Sequence, residues 1–212
     1  MTSRIITLAT AAALAGMAGA AAAQDTDGTW RAELAPLNAG AAGGEAGGTV
    51  TLTASGDTLT ISVDATGTPP GIMHLQHFHG FAEGQGSSAC PGTEADANGD
   101  GVIDLIETEP VAGITMVPFH ASPAGMDIVD DSYPAAGSDG AYSYRQEVPL
   151  GALREAFEAK FPGQHLDFGR RVVFLHGVAE DADLPDSVQS LGEVPAHVTL
   201  PIACGALKPE NG

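Results

Sequence analysis

The clearest pattern along the chain is the alternation of apolar and polar residues in "TVTLTASGDTLTISVDAT", Thr49 to Thr66. Val50, Leu52 and Ala54 fall on one side, and Thr49, Thr51 and Thr53 on the other. After Ser55-Gly56-Asp57 the pattern resumes with Leu59, Ile61 and Val63 against Thr58, Thr60 and Ser62. Successive strand side chains point to opposite faces, so a period of two predicts a β-hairpin with one dry and one wet face. "TWRAELAPLN" (Thr29–Asn38) alternates in the same way and predicts a strand before it. "AGAAGGEAGG" (Ala39–Gly48) predicts a flexible connection. Gly140–Leu150 and the β-branched run Arg171–Val178 predict two more strands. Ala196–Cys204 predicts a last, edge-like strand broken by Pro201. A helical period occurs at Leu150, Leu153, Phe157 and Phe161, closed by Pro162-Gly163. Ala82 to Gly140 is dense in Gly, Pro, Asp and Ser and predicts a long loop. The expectation is an all-β fold, an antiparallel sandwich or barrel with one short helix and a long inserted loop. No internal repeat and no second domain are evident.

The first 23 residues are set apart from this domain. "MTSRIITLATAAALAGMAGAAAAQ" has a basic start at Arg4, an apolar middle and an Ala21-Ala22-Ala23 cleavage pattern, which predicts a secretory signal peptide. A membrane anchor is the competing reading, but the apolar part is short and rich in alanine. The single domain then spans 24–212, enough for a real core. Without Arg4 it carries 7 basic and 27 acidic residues, a net −20. Nucleic acid and anionic membrane surfaces are poor partners for that charge; metal ions or small molecules fit better. Two cysteines, Cys90 and Cys204, in a periplasmic or secreted chain predict one disulfide.

The chain has seven histidines, and three of them fall in "GIMHLQHFHGF" (Gly71–Phe81), at spacing H-x-x-H-x-H. On a strand His77 and His79 project together. Imidazole suits copper, zinc, iron and nickel, and such a pair needs a further ligand from elsewhere. His176, ending the strand Val172–Leu175, is the natural candidate. His74 faces the other way on a regular strand and is expected to support or pack rather than to ligate. His165 and His197 are expected at the surface or in packing. Arg170 and Arg171 are expected to pair with nearby acids rather than to serve a metal-site entrance.

"DANGDGVIDLIE" (Asp96–Glu107) is a second motif. It matches the twelve-residue calcium loop of EF-hands, with side chains of Asp96, Asn98, Asp100, Asp104 and Glu107 and the carbonyl of Val102 as ligands, and Gly101 at the sharp turn. Cys90-Pro91-Gly92 just upstream leaves no room for an entering helix. The expectation is therefore a lone structural calcium loop.

"HLQHFHG" resembles the first copper-ligand strand, H-G-F-H-V-H, of the copper/zinc superoxide dismutases. Cys90 follows at that family's usual remove. "GRRVVFLHG" is similar to its G-R-x-x-V-V-H strand, acidic "EDADLPDSVQS" to its electrostatic loop, and "ACG" (Ala203–Gly205) to its closing cysteine motif. The resemblance spans about Thr49 to Gly205. It implies a Greek-key barrel with copper on its outside, held by His77, His79 and His176. It makes His120, in "VPFHASP", the candidate bridging ligand and His74 the structural histidine. It also implies the Cys90–Cys204 bridge. Between His120 and Gly140 there is no histidine to complete a zinc site, so zinc is not expected. Pro201 stands where the family places the arginine that guides superoxide. The chain also resembles secreted bacterial proteins with chordin-like (CHRD) domains, where the same histidine pattern and an acidic loop recur without an assigned activity. Two functions follow as expectations. One is an exported copper protein that dismutates superoxide. The other is a non-catalytic β-domain holding calcium, and copper with it, for structural, adhesion or storage roles.

Overall fold

A computed structural model describes residues 27–84 and 86–210. The expected signal peptide, 1–23, lies outside the described residues. The architecture is a curled antiparallel sheet, a half-barrel, with a few short helices. Its strands are β1 (Gly28–Pro36), β2 (Gly47–Ser55), β3 (Thr58–Thr66), β4 (Gln76–Gly80), β5 (Ile114–Pro118), β6 (Tyr142–Pro149), β7 (Val172–His176), β8 (Pro201–Ala206) and β9 (Lys208–Pro209). The order along the sheet is β5-β4-β7-β8-β1-β2-β3-β6, with β9 on β1. Helices α1 (Ala39–Ala42), α2 (Leu105–Ala112), α3 (Leu150–Lys160) and α4 (Ala196–Thr199) lie in the connections.

The hairpin forms as its alternation dictates. Val50 pairs with Val63, Leu52 with Ile61 and Ala54 with Leu59, and all six are at most 2% exposed. Opposite residues of an antiparallel pair share a face, so these pairs build one wall of the core. Helix α3 closes over this region through buried Leu150, Leu153 and Phe157. Its start is tied to the hairpin turn: the amides of Leu150 and Gly151 donate to the Asp57 carbonyl (2.9 Å) and carboxylate (2.8 Å). Two N–H groups that the helix itself leaves unpaired are satisfied there.

Strand β7 is buried on both faces and serves two clusters. Val173 and Leu175 join the main core. Val172 and Phe174 face the other way, into a smaller cluster with Cys204 and Ala112 of α2. The Cys90–Cys204 disulfide is formed, with a sequence separation of 114. It fastens the segment leading to α2 against the outer face of β8.

Two expectations are corrected. The long loop contains both β5 and α2; Asp104 caps α2, with a reciprocal bond from Glu107. The last strand is not at an edge, since β8 lies between β7 and β1. Pro201 is its first residue, where a missing N–H is tolerated, and Ala196–Thr199 turns into α4 instead. Arg171, 1% exposed, donates to the Leu166 and His165 carbonyls and lies against the rings of Phe78 and Phe157. Arg170 pairs with Asp167, at 3.1 Å.

The disulfide closes a long loop, with a sequence separation of 114, which predicts a stabilisation of about 5 kcal/mol from reduced chain entropy. Replacing both Cys90 and Cys204 by serine is expected to lower unfolding free energy by about that amount, read from urea midpoints.

Candidate metal centre

Pairing of β4 with β7 sets His77 opposite Phe174 and His79 opposite Val172. The amide of His176 donates to the Leu75 carbonyl at 2.8 Å, extending the same register. His77, His79 and His176 therefore share the outer face of the sheet, opposite the main core. Their exposures are 2%, 1% and 1%. One ring nitrogen from each lies within 4.8 Å of the others, and theirs is the one such set of histidine, cysteine or acidic side chains among the described residues.

The hydrogen bonds identify the free lone pairs. His176 Nδ1 lies 2.7 Å from the Thr199 carbonyl, which can only accept, so Nδ1 carries the proton. Its Nε2 is buried and has no hydrogen-bond partner. His79 Nδ1 faces the Gly113 carbonyl at 3.3 Å, leaving Nε2 as the lone pair, 3.1 Å from the Thr115 hydroxyl. Both ring nitrogens of His77 are buried without a partner. An unpaired buried polar atom costs roughly 1–3 kcal/mol. A cation at the centre of the three rings would satisfy one nitrogen of each, and carbonyls behind two of them already fix the ring tautomers. The donor set fits a metal such as copper or zinc.

Burial also keeps the rings neutral. It lowers the His79 pKa to about 3 and that of His176 to about 4. His77 is driven well below its usual value by burial and then by the neighbouring rings of His176, His79 and His120. The site thus holds lone pairs rather than protons through mildly acidic conditions.

The other predicted residues are placed apart from this centre. His120 Nδ1 accepts from the Ser122 amide at 3.0 Å, so Nε2 is the donor, to the Asp127 carbonyl at 2.7 Å. No lone pair of His120 is left for an ion, and it does not join the triad. Tyr133 stands edge-on to both His120 and His77, with ring centres at 5.0 and 6.1 Å. His74 is fully buried. Its two nitrogens face the His176 carbonyl (3.0 Å) and the Pro69 carbonyl (2.9 Å), which braces the end of β7. His165 is exposed and His197 half-buried.

The acidic loop is folded around its own side chains. Asp96 accepts from the amides of Gly99, Asp100 and Gly101; Asn98 accepts from Asp100, and Asp100 from Val102. Glu107 accepts from Ala97, Asn98 and Asp104. Gly101 has φ +87°, the left-handed turn the motif requires. The carboxylates are engaged with backbone and do not form a converging set of three.

Two walls of the site lie outside the histidine motifs. One is the 184–194 segment. The amide of Gln189 donates to Asp104 at 2.7 Å, and Ser187 donates to Asp100. These bonds hold Leu191 and Val194 beside His77 and His176, in the same constricted hollow as Leu105, Ile128 and Val129. The other is α2, whose C-terminal Gly113 meets His79. The capping signature Asp104-x-x-Glu107 was present in the sequence and marks that helix.

No protein-family model matches this chain, and a search of curated proteins finds no match either. The function is therefore read from the donor set and its surroundings.

His176 is neutral in the folded protein at pH values where an unfolded chain, with an ordinary value near 6.5, would protonate it. The unfolded state then binds more protons, so stability is fully present above about pH 6.5 and falls as pH drops toward 4. Metal-free His176→Gln is expected to lose roughly 2 kcal/mol less than the parent between pH 7 and pH 4.5. Urea midpoints at the two pH values measure this.

Proposed function

We propose that the protein is an exported copper-binding protein whose ion is held by His77, His79 and His176. The observation that carries the reading is three buried imidazoles from two paired strands, each with a ring nitrogen within 4.8 Å of the others, and with unsatisfied nitrogens on His77 and His176. A nitrogen-only donor set binds copper most tightly among the divalent first-row metals. The resemblance of "HLQHFHG" and "GRRVVFLHG" to copper-ligand strands of a superoxide dismutase-like Greek-key fold favours the same ion. Export is supported by the N-terminal sequence pattern and by the disulfide. Among the described residues no helix is long and apolar enough to cross a membrane.

Copper so bound would supply one-electron redox chemistry, which in the resembled family converts superoxide to dioxygen and hydrogen peroxide. The chain's own residues hold the ligand rings through the Gly113 and Thr199 carbonyls and keep bulk water away with Leu105, Leu191 and Val194. Attraction of an anion is poorly served. The chain is strongly acidic, and Pro201 stands where the family has its guiding arginine. This favours a second reading, a CHRD-like domain that retains copper for storage, adhesion or structure without turnover. The acidic loop Asp96–Glu107 would then add a structural calcium ion beside the same wall, by its match to the twelve-residue pattern.

Protein exported with its leader is expected to retain about one copper per chain, and His77→Ala or His176→Ala to bind it at least tenfold more weakly. Elemental analysis and competitive titration read both. Absence of copper binding by the parent would sink the proposal. A dismutation assay on the loaded protein separates the two readings, since a copper-replete but inactive protein supports retention. Calcium is expected to raise the melting temperature, and Asp100→Ala to abolish that increment. An unchanged melting curve would remove the calcium ion from the account.

A further inference from the structure

Beside the histidine centre lies a cavity of about 260 Å³ that nothing above employs. His79 and Thr115 are among its lining residues. Leu105, Ile128, Phe161 and Leu191 supply apolar walls, and Glu109 and Lys160 are its charged groups. The exposed large hydrophobic residues among the described ones are Ile114 (38%), Val129 (71%) and Leu191 (43%). Ile114 and Leu191 line this cavity, and Val129 lines the hollow next to it. A strongly acidic protein thus gathers its exposed large apolar side chains around two adjoining hollows. Such gathering marks a binding site.

The chemistry of the lining limits the occupant. Sites that enclose drug-sized ligands measure roughly 300–1,000 Å³, so this cavity suits a single-ring molecule. Its walls are apolar, and Phe161 offers an aromatic surface. The two charges oppose one another. An anionic ligand would meet Glu109, and a cationic one would meet Lys160. A neutral hydroxyl can donate to the Glu109 carboxylate and accept from the Lys160 ammonium, which already gives one proton to the Met126 carbonyl at 2.7 Å. We infer that this cavity binds a small neutral aromatic alcohol, a phenol, with its ring between Leu191 and Phe161 and its hydroxyl toward Glu109 and Lys160. The cavity shares His79 with the metal centre, but its affinity needs no ion. The inference therefore stands or falls apart from the copper reading.

Phenol titrated into the metal-free full-length protein, followed by calorimetry and amide NMR shifts, provides the test. Saturable one-to-one binding is expected, with shifts centred on Leu105, Ile128 and Leu191. Benzoate and benzylamine are expected to bind at least tenfold more weakly. Leu191→Trp, at an exposed position, is expected to fill the cavity and weaken phenol at least tenfold with an unchanged melting temperature. Glu109→Gln is expected to reduce the discrimination against benzoate. Absence of saturable phenol binding, equal binding of benzoate or benzylamine, or undiminished binding by Leu191→Trp would each overturn the inference.

Discussion

The register between β4 and β7 is the constraint from which the site follows. Phe78 pairs with Val173 and faces the main core, while His77 pairs with Phe174 and faces away from it. A slip of one residue would move every side chain to the opposite face. It would bury imidazoles among Leu52, Ile61 and Phe157 and expel the phenylalanine and valine that now anchor the sheet. Burial of Phe78 and Val173 holds the register, and the register places three imidazoles together. The site is thus specified by apolar contacts on the side of the sheet it does not occupy.

Placing imidazoles on the outer face would ordinarily leave them wet. They are dry because α2 and the 184–194 segment lie over them, held by the acidic loop and the disulfide. The same side chains serve two ends here. Asp104 caps α2 and also accepts from Gln189; Glu107 closes the capping box and gathers the amides at the loop's start. The wall over the three histidines is therefore continuous with the loop that carries the calcium-type pattern. A change in that loop reaches Leu105 and Leu191 through one residue or one hydrogen bond.

Much of this was legible in the sequence where one periodicity acted alone. The 49–66 hairpin and α3 follow from spacing, the strand at His77-x-His79 follows from the resemblance to a copper-ligand strand, and His176 follows from its place at the end of a β-branched run. Legibility failed where two signals shared residues. Asp104 and Glu107 fit a calcium loop and a helix start equally, so α2 was absorbed into a loop. Strand β5 sits in a segment whose Gly, Pro and Asp content masks five apolar-rich residues. Pro201 reads as a strand breaker, but at the first position of β8 its missing N–H costs little. The exclusion of His120 depends on a turn that brings Ser122 and Asp127 to its ring, and no spacing rule reports that.

The bridge from Cys90 to Cys204 anchors the cover over the histidines. It ties the segment leading to α2 to β8, the strand paired with β7 and His176, across 114 residues of sequence. Helix α2 in turn supplies the Gly113 carbonyl that orients His79. One covalent tie on a neighbouring strand therefore limits how far the cover can drift from the rings beneath it.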